Sequence, residues 1–312
     1  MEATPIYSSI LVGWNGHEEG RDALALAELL ARATAAGLVV ASVYPKVAYH
    51  SAVIAAGQVE EEMRKETDAA VRAGVEGLEV PGGLETRAVC GSSPAAALHR
   101  IAFKEAFDLV VVGPTSHGPV GRLLLGSTGE RLLHGAPCAV AVAPKGFADR
   151  GASVPRTIGV GYEGTVEAEL ALAAATEIAA RTEGELKLIS VVEPLGHLPP
   201  YGAAWPSAYL SGELFDELVA IARERVMRAL DGLEVPAEAE LVQGDPAKEL
   251  AAVSEHGLDL LVVGSRGYGP LLTVLLGGVS SQLVRTASCP VLVVPRGAAE
   301  TASPSAETGL AR

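Results

Sequence analysis

Short unbroken apolar runs alternate along the chain with stretches in which apolar residues recur every three or four positions. In the second half, Thr157–Val160, Leu186–Val192, Ala239–Val242, Leu258–Val263 and Val291–Val294 read as strands. Between them, Thr165–Arg181, Ser207–Leu230, Pro246–Glu255 and Val279–Thr286 carry helical periodicity, and Pro246 suits the first turn of its helix. The first half runs in the same order. Strands are predicted at Ile10–Val12, Leu38–Val43, Thr86–Val89, Leu109–Val112 and Ala139–Val142. A helix ending near Ala36 follows the first strand, and further helices are predicted at Val59–Val75, Ala95–Phe103 and Ser127–Leu133. Runs such as Leu260-Leu-Val-Val263 are apolar at every position, as expected when helices cover both faces of a parallel sheet. Right-handed crossovers then give an α/β fold of two tandem doubly wound domains, each with a five-stranded parallel sheet flanked by helices.

The halves are copies of one another. Asp108-Leu-Val-Val-Val-Gly113 aligns with Asp259-Leu-Leu-Val-Val-Gly264 at an offset of 151, which also places Gly126 on Gly277, Cys138 on Cys289 and Pro144 on Pro295. Near the start the offset is 148, pairing Val12-Gly-Trp-Asn-Gly16 with Val160-Gly-Tyr-Glu-Gly164. Solenoid repeats run to about 50 residues at most, so a period this long means two whole domains. The expected division is residues 1–147 and 156–296, with a linker near Gly146–Pro155 and a disordered tail over 297–312.

Composition narrows the picture. With 49% hydrophobic and 20% charged residues the body of the chain is too apolar for disorder. A net charge of −14 argues against a nucleic-acid surface, and 4% aromatics against base-stacking platforms. Cys90, Cys138 and Cys289 form no C-x-x-C pair, so a reducing cytoplasm is expected. Met1–Ser9 carries no basic residue, and no signal peptide is expected. The 18 uncharged residues between Arg266 and Arg285 approach the length of a membrane span. Gly267, Gly269, Pro270, Gly277 and Gly278 interrupt them, and no membrane association is expected.

Open α/β sheets bind ligands beyond the carboxyl ends of their strands, where the strand order reverses. Two loops in each half lead there: one after the first strand, holding Asn15 or Glu163, and a Gly-rich one after the fourth. In the second half the latter runs from Gly264 through Arg266, Gly267 and Gly269 to Gly277, Gly278 and Ser280. Glycines let successive N–H groups converge on an anion, and a helix starting after Gly277 adds free donors and a positive dipole end. Arg266 adds a charge and Ser280 a hydroxyl. A turn serving close packing alone remains the other reading. The loop is not a Walker motif, since no G-x-x-x-x-G-K-S/T occurs, and its glycines follow the fourth strand rather than the first.

The pattern G-x2-G-x9-G-S/T after the fourth strand, with an acidic residue ending the first, resembles the universal stress protein (UspA) family. Gly244-Asp-Pro-Ala-Lys-Glu-Leu250 and Leu283-Val-Arg-Thr-Ala-Ser-Cys-Pro-Val-Leu-Val-Val294 support the resemblance, which covers about residues 6–145 and 156–296. It implies a tandem, adenine nucleotide α-hydrolase-like fold and a stress-response role. It also implies ATP or a related adenine nucleotide as ligand, with magnesium as its counter-ion. Members that bind no nucleotide imply the alternative, an interaction or dimerisation module, and a third reading is a slow ATPase. The resemblance further implies pairing of last strands across a two-fold axis, so the halves are expected to pack together, with a possible homodimer beyond. In the second half Gly264, Gly267 and Gly277 keep the pattern, Gly278 replaces its hydroxyl residue, Glu163 stands for its Asp, and Val191 falls where backbone flanks adenine. In the first half Gly113, Gly126 and Ser127 keep it, while Asn15 replaces the acid, Ser116 a glycine, and Pro114 removes an N–H. The first site is expected to be degenerate and the second to bind.

Other residues take plainer roles. The seven histidines show no metal-ligand spacing, no nucleophile elbow accompanies Ser92-Ser93 and His99, and no catalytic residue is assigned. Ser92 or Ser93 is expected to cap the following helix, and Cys138 and Cys289 to be small buried groups. Glu60-Glu-Glu62 is expected near a helix start. Leu195–Pro206, with Tyr201 and Trp205, is either a lid or a connector.

Overall fold

Strands and helices follow the predicted order. The computed structural model describes residues 7–46, 53–114, 127–151, 153–194, 212–265 and 277–295. In the first half β1 (Ser9–Gly13), β2 (Gly37–Pro45), β3 (Leu84–Gly91), β4 (Leu109–Val112) and β5 (Ala139–Val142) alternate with α1 (Glu18–Thr34), α2 (Val53–Gly74), α3 (Pro94–Lys104) and α4 (Ser127–Leu133). In the second, β6 (Thr157–Gly161), β7 (Glu185–Val192), β8 (Ala237–Gln243), β9 (Leu260–Gly264) and β10 (Val291–Val294) alternate with α5 (Val166–Thr182), α6 (Gly212–Asp231), α7 (Pro246–Ser254) and α8 (Gly278–Thr286). A 3-10 turn at Ala148–Arg150 lies between the halves.

One boundary is corrected. α2 begins at Val53, six residues before the expected start, so Glu60-Glu-Glu62 sits inside the helix. Glu61 there pairs with Arg64 at 2.8 Å and Lys65 at 3.5 Å, rather than serving the helix dipole. The helix expected from Ser207 is described from Gly212, and Leu195–Pro206 and 297–312 lie outside the described residues.

All strands join one ten-stranded sheet in the order β3-β2-β1-β4-β5-β10-β9-β6-β7-β8. Each half is parallel throughout. The halves meet where β5 and β10 pair antiparallel, Val142 opposite Val291, Ala141 opposite Leu292 and Val140 opposite Val293. This meeting explains why both last strands are buried at every position, since neither is an edge. The true edges, β3 and β8, carry Glu85 and Arg87, and Glu238 and Glu240. Charges of this kind discourage pairing with another chain.

Side chains alternate across the sheet, so Leu109 and Val111 of β4 face one layer and Val110 and Val112 the other. α1, α2, α5 and α6 cover the first layer, and α3, α4, α7 and α8 the second; each is continuous across both halves. Polar contacts reinforce the seam. Arg285 of α8 reaches Glu130 of α4 at 2.7 Å, and Arg150 donates to the Ser288 carbonyl at 2.8 Å.

Two repeated details have structural roles. Asp108 and Asp259, which open the aligned segments, sit at the amino ends of β4 and β9, away from the ligand end. One Oδ2 of Asp259 accepts the N–H groups of Arg156 and Thr157 at 2.8 and 2.9 Å. Asp108 does the same for Ser8 and Ser9, at 2.9 and 3.0 Å, and adds both hydroxyls. The second detail is Gly77-Leu-Glu-Val-Pro81, repeated as Gly232-Leu-Glu-Val-Pro236, which places Gly74 on Ala229 and Ala70 on Arg225. A Cβ on Gly74 would lie 2.4 Å from the Trp14 ring. The bulkier Trp14 thus goes with Gly74, and Tyr162 with Ala229.

Candidate functional site

In the second half the strand order reverses between β6 and β9, and a crevice of about 520 Å³ opens at their carboxyl ends. Glycines let helices close around it. A Cβ on Gly161, the last residue of β6, would lie 3.3 Å from Leu250 of α7. One on Gly264, ending β9, would lie 2.7 Å from the Glu167 backbone in the first turn of α5.

The first turn of α8 forms one wall. Gly277 is its N-cap, with φ −67° and ψ 167° and no side-chain cap. The Gly277 carbonyl accepts from Ser281 N at 2.9 Å and from the buried Ser280 hydroxyl at 3.4 Å. The N–H groups of Gly278, Val279 and Ser280 have no acceptor within the helix, and all three residues line the crevice. Gly278 is exposed, and a Cβ there would meet nothing within 4 Å. This end of the crevice offers backbone donors and a positive dipole end to an anion.

The other walls are acidic. Glu163, Glu167, Glu193 and Asp245 line the crevice, with no Lys, Arg or His among the described lining residues. Asp245 is committed to capping α7, its Oδ1 accepting Lys248 N at 3.0 Å. The exposed Glu163 accepts the Thr165 hydroxyl at 3.3 Å, and Thr165 in turn caps α5 through Ala168 N, also at 3.3 Å. Behind them Tyr162, 5% exposed, donates to Glu169, and burial with that bond pushes its phenol up to about 12.

Of the residues expected to hold ligand, Glu163, Val191, Gly264, Gly277, Gly278 and Ser280 converge on this crevice. Arg266 and Gly267 lie outside the described residues. In the first half, Gly126 and Ser116 also lie outside them. Asn15 is exposed and its Oδ1 accepts His17 N at 3.1 Å, closing its own turn. Gly113 is half-buried beside the buried Pro114, and Ser127 opens α4. Ser93 caps α3 by accepting Ala96 N at 3.3 Å, His99 bonds the Gly135 carbonyl at 2.8 Å, and Cys138 and Cys289 are buried. Among the described residues no His, Cys, Asp or Glu cluster is arranged for a metal, and no helix is long and apolar enough to cross a membrane. Sequence reasoning missed Thr165, Glu193 and Asp245. The Asp-Pro pair at 245–246 was the available signal, as an N-cap followed by proline.

A doubly wound parallel sheet present twice in one chain, with a crevice at the switch point of the second, defines the class. The model of the universal stress protein family matches residues 6–144 and 155–295, and the chain belongs to that family. A universal stress protein of Mycolicibacterium smegmatis is 33% identical over 189 residues, 60% of this chain and 61% of the relative. One of Mycobacterium tuberculosis is 32% identical over 187 residues, with the same coverage. The match therefore spans about three fifths of the length of these relatives. A solved universal stress protein from Archaeoglobus fulgidus superposes with a TM-score of 0.61 at 20% identity, over 93% of this chain and 98% of its own. At that identity the likeness shows the fold.

Proposed function

We propose that the second half binds ATP or a related adenine nucleotide and that the protein acts as a stress-response regulator reading that ligand. One observation carries the proposal: the uncapped first turn of α8 opens into the crevice at the switch point. In this reading the phosphates lie on the N–H groups of Gly278, Val279 and Ser280. The base lies toward Val191, and Glu163 faces the sugar. The acidic lining supports a magnesium counter-ion, because an unneutralised triphosphate beside four carboxylates is repelled. The three free cysteines, two of them buried, suit a reducing cytoplasm. Titration calorimetry of magnesium-ATP into wild type and Gly267→Val tests the proposal. Heat lost in the variant supports it, and no heat from wild type at millimolar nucleotide overturns it.

The same acidic lining, together with Gly278 in place of a hydroxyl residue, favours a second reading: an interaction module that carries no nucleotide. An ATP peak in the denatured extract of purified protein counts against it. Slow ATP hydrolysis is the third reading. Phosphate release above background, lost in Glu163→Ala, would support that activity.

A further inference from the structure

The Glu163 loop is held locally by Tyr162 N on the Ile189 carbonyl at 2.9 Å and by the exposed Thr165 hydroxyl on the Glu163 carboxylate at 3.3 Å. It turns at Gly164 with φ +72°, a conformation that glycine enters freely and leaves as freely. Cavities of about 600 and 1270 Å³ undercut it, one toward the end of β7 and one between α5 and α6. Gly164 and Arg225 line both. Arg225, half-buried on α6, stands between them. Its Nη1 donates to the Glu163 carbonyl at 2.5 Å across 62 residues of sequence. Its Cδ lies 2.1 Å from where a Cβ on Gly164 would be, so the missing side chain is both the hinge of the turn and the seat of the arginine.

The first half lacks this contact. Ala70 stands where Arg225 does, and the corresponding turn is closed locally by Asn15. Asn15 takes His17 N two residues on, as the Glu163 carboxylate takes the Thr165 hydroxyl, so the local bonds of the two turns are alike. The second half adds a tie that the first half lacks, Arg225 on the Glu163 main-chain carbonyl, and Glu163 lines the crevice.

We propose that Arg225 is a positioning residue, a latch from α6 that fixes the Glu163 loop at the nucleotide crevice and makes nucleotide affinity depend on where α6 sits. The proposal rests on the nucleotide reading for its effect on affinity, and on geometry alone for its effect on the loop. Two measurements separate these. The first is hydrogen exchange of the Tyr162 amide, which donates to the Ile189 carbonyl at 2.9 Å at the root of the loop, without nucleotide, in wild type, Arg225→Met, Arg225→Lys and Arg228→Met. Methionine keeps apolar packing on Gly164 and removes the donor, lysine restores a charged donor, and Arg228 on the same helix is the control. A charge-assisted bond of this kind is worth about a tenfold or larger change in opening. Loop exchange should rise by about that factor in Arg225→Met, fall back toward wild type in Arg225→Lys, and stay unchanged in Arg228→Met. The second is calorimetry of magnesium-ATP, in which affinity should follow the same order. Exchange in Arg225→Met equal to that in Arg228→Met, or unrestored by lysine, overturns the latch. Wild type that binds no ATP overturns the nucleotide reading, while the exchange series still decides the latch.

Discussion

Gly278→Ser puts back the hydroxyl that the family pattern has at the start of α8. The substitution is sterically free, because a Cβ there meets nothing within 4 Å and the residue is exposed. Two gains follow. Serine costs a helix less than glycine by roughly 0.3–0.5 kcal/mol, a small rise in stability. A hydroxyl donating to phosphate contributes about 0.5–1.5 kcal/mol, which converts to roughly 2- to 12-fold tighter nucleotide binding. Calorimetry with magnesium-ATP measures the second gain, and Gly278→Ala isolates it, because alanine shares the helix benefit without the hydroxyl. Serine and alanine binding equally, or serine binding more weakly than wild type, would refute the placement of phosphate on the first turn of α8.

The packing itself can be perturbed at several points. Gly74→Ala drives a methyl to 2.4 Å from the Trp14 ring and should cost about 1–3 kcal/mol in urea unfolding. Adding Trp14→Tyr, the pairing of the second half, should return part of that loss. Asp108→Ala removes the acceptor shared by the Ser8 and Ser9 amides and should cost about 1.5–3 kcal/mol by the same assay, with no change in nucleotide affinity. Burial pushes the thiols of Cys138 and Cys289 from 9.0 up to about 12, so a thiol reagent at pH 8 should label Cys90 alone until the protein unfolds. Because these folded-state values lie above the unfolded ones, the stability they confer is complete below about pH 9 and declines as pH rises toward 12. A series of melting curves across that range checks the sign.

Most of the element order was legible because the two periodicities differ sharply. Leu260-Leu-Val-Val263 has no polar position, and α7 announces itself with Asp245 and Pro246. The start of α2 was not legible, since Val53–Gln58 carries no acidic or proline start signal, and the acidic run seven residues later drew the boundary to itself. Pairing of β5 with β10 came from family resemblance; the residues alone show only that both strands are wholly apolar, which any central strand would satisfy. The crevice glycines Gly264, Gly277 and Gly278 were readable as a motif, being close together in sequence. Arg225 was not, because its partner lies 62 residues away and its counterpart in the first half is an alanine.

The antiparallel seam between β5 and β10 changes how the two halves respond to dilution. A dimer of separate domains joined along such strands comes apart as its concentration falls, and its melting temperature falls with it. Here the partner strand is tethered in the same chain, so its effective concentration is fixed and the seam closes at any protein concentration. The ratio of the two domains is likewise fixed at one to one. Thermal midpoints should therefore be flat across protein concentration. Whatever stands in the loops of the first half, its sheet shields β10 from solvent through β5.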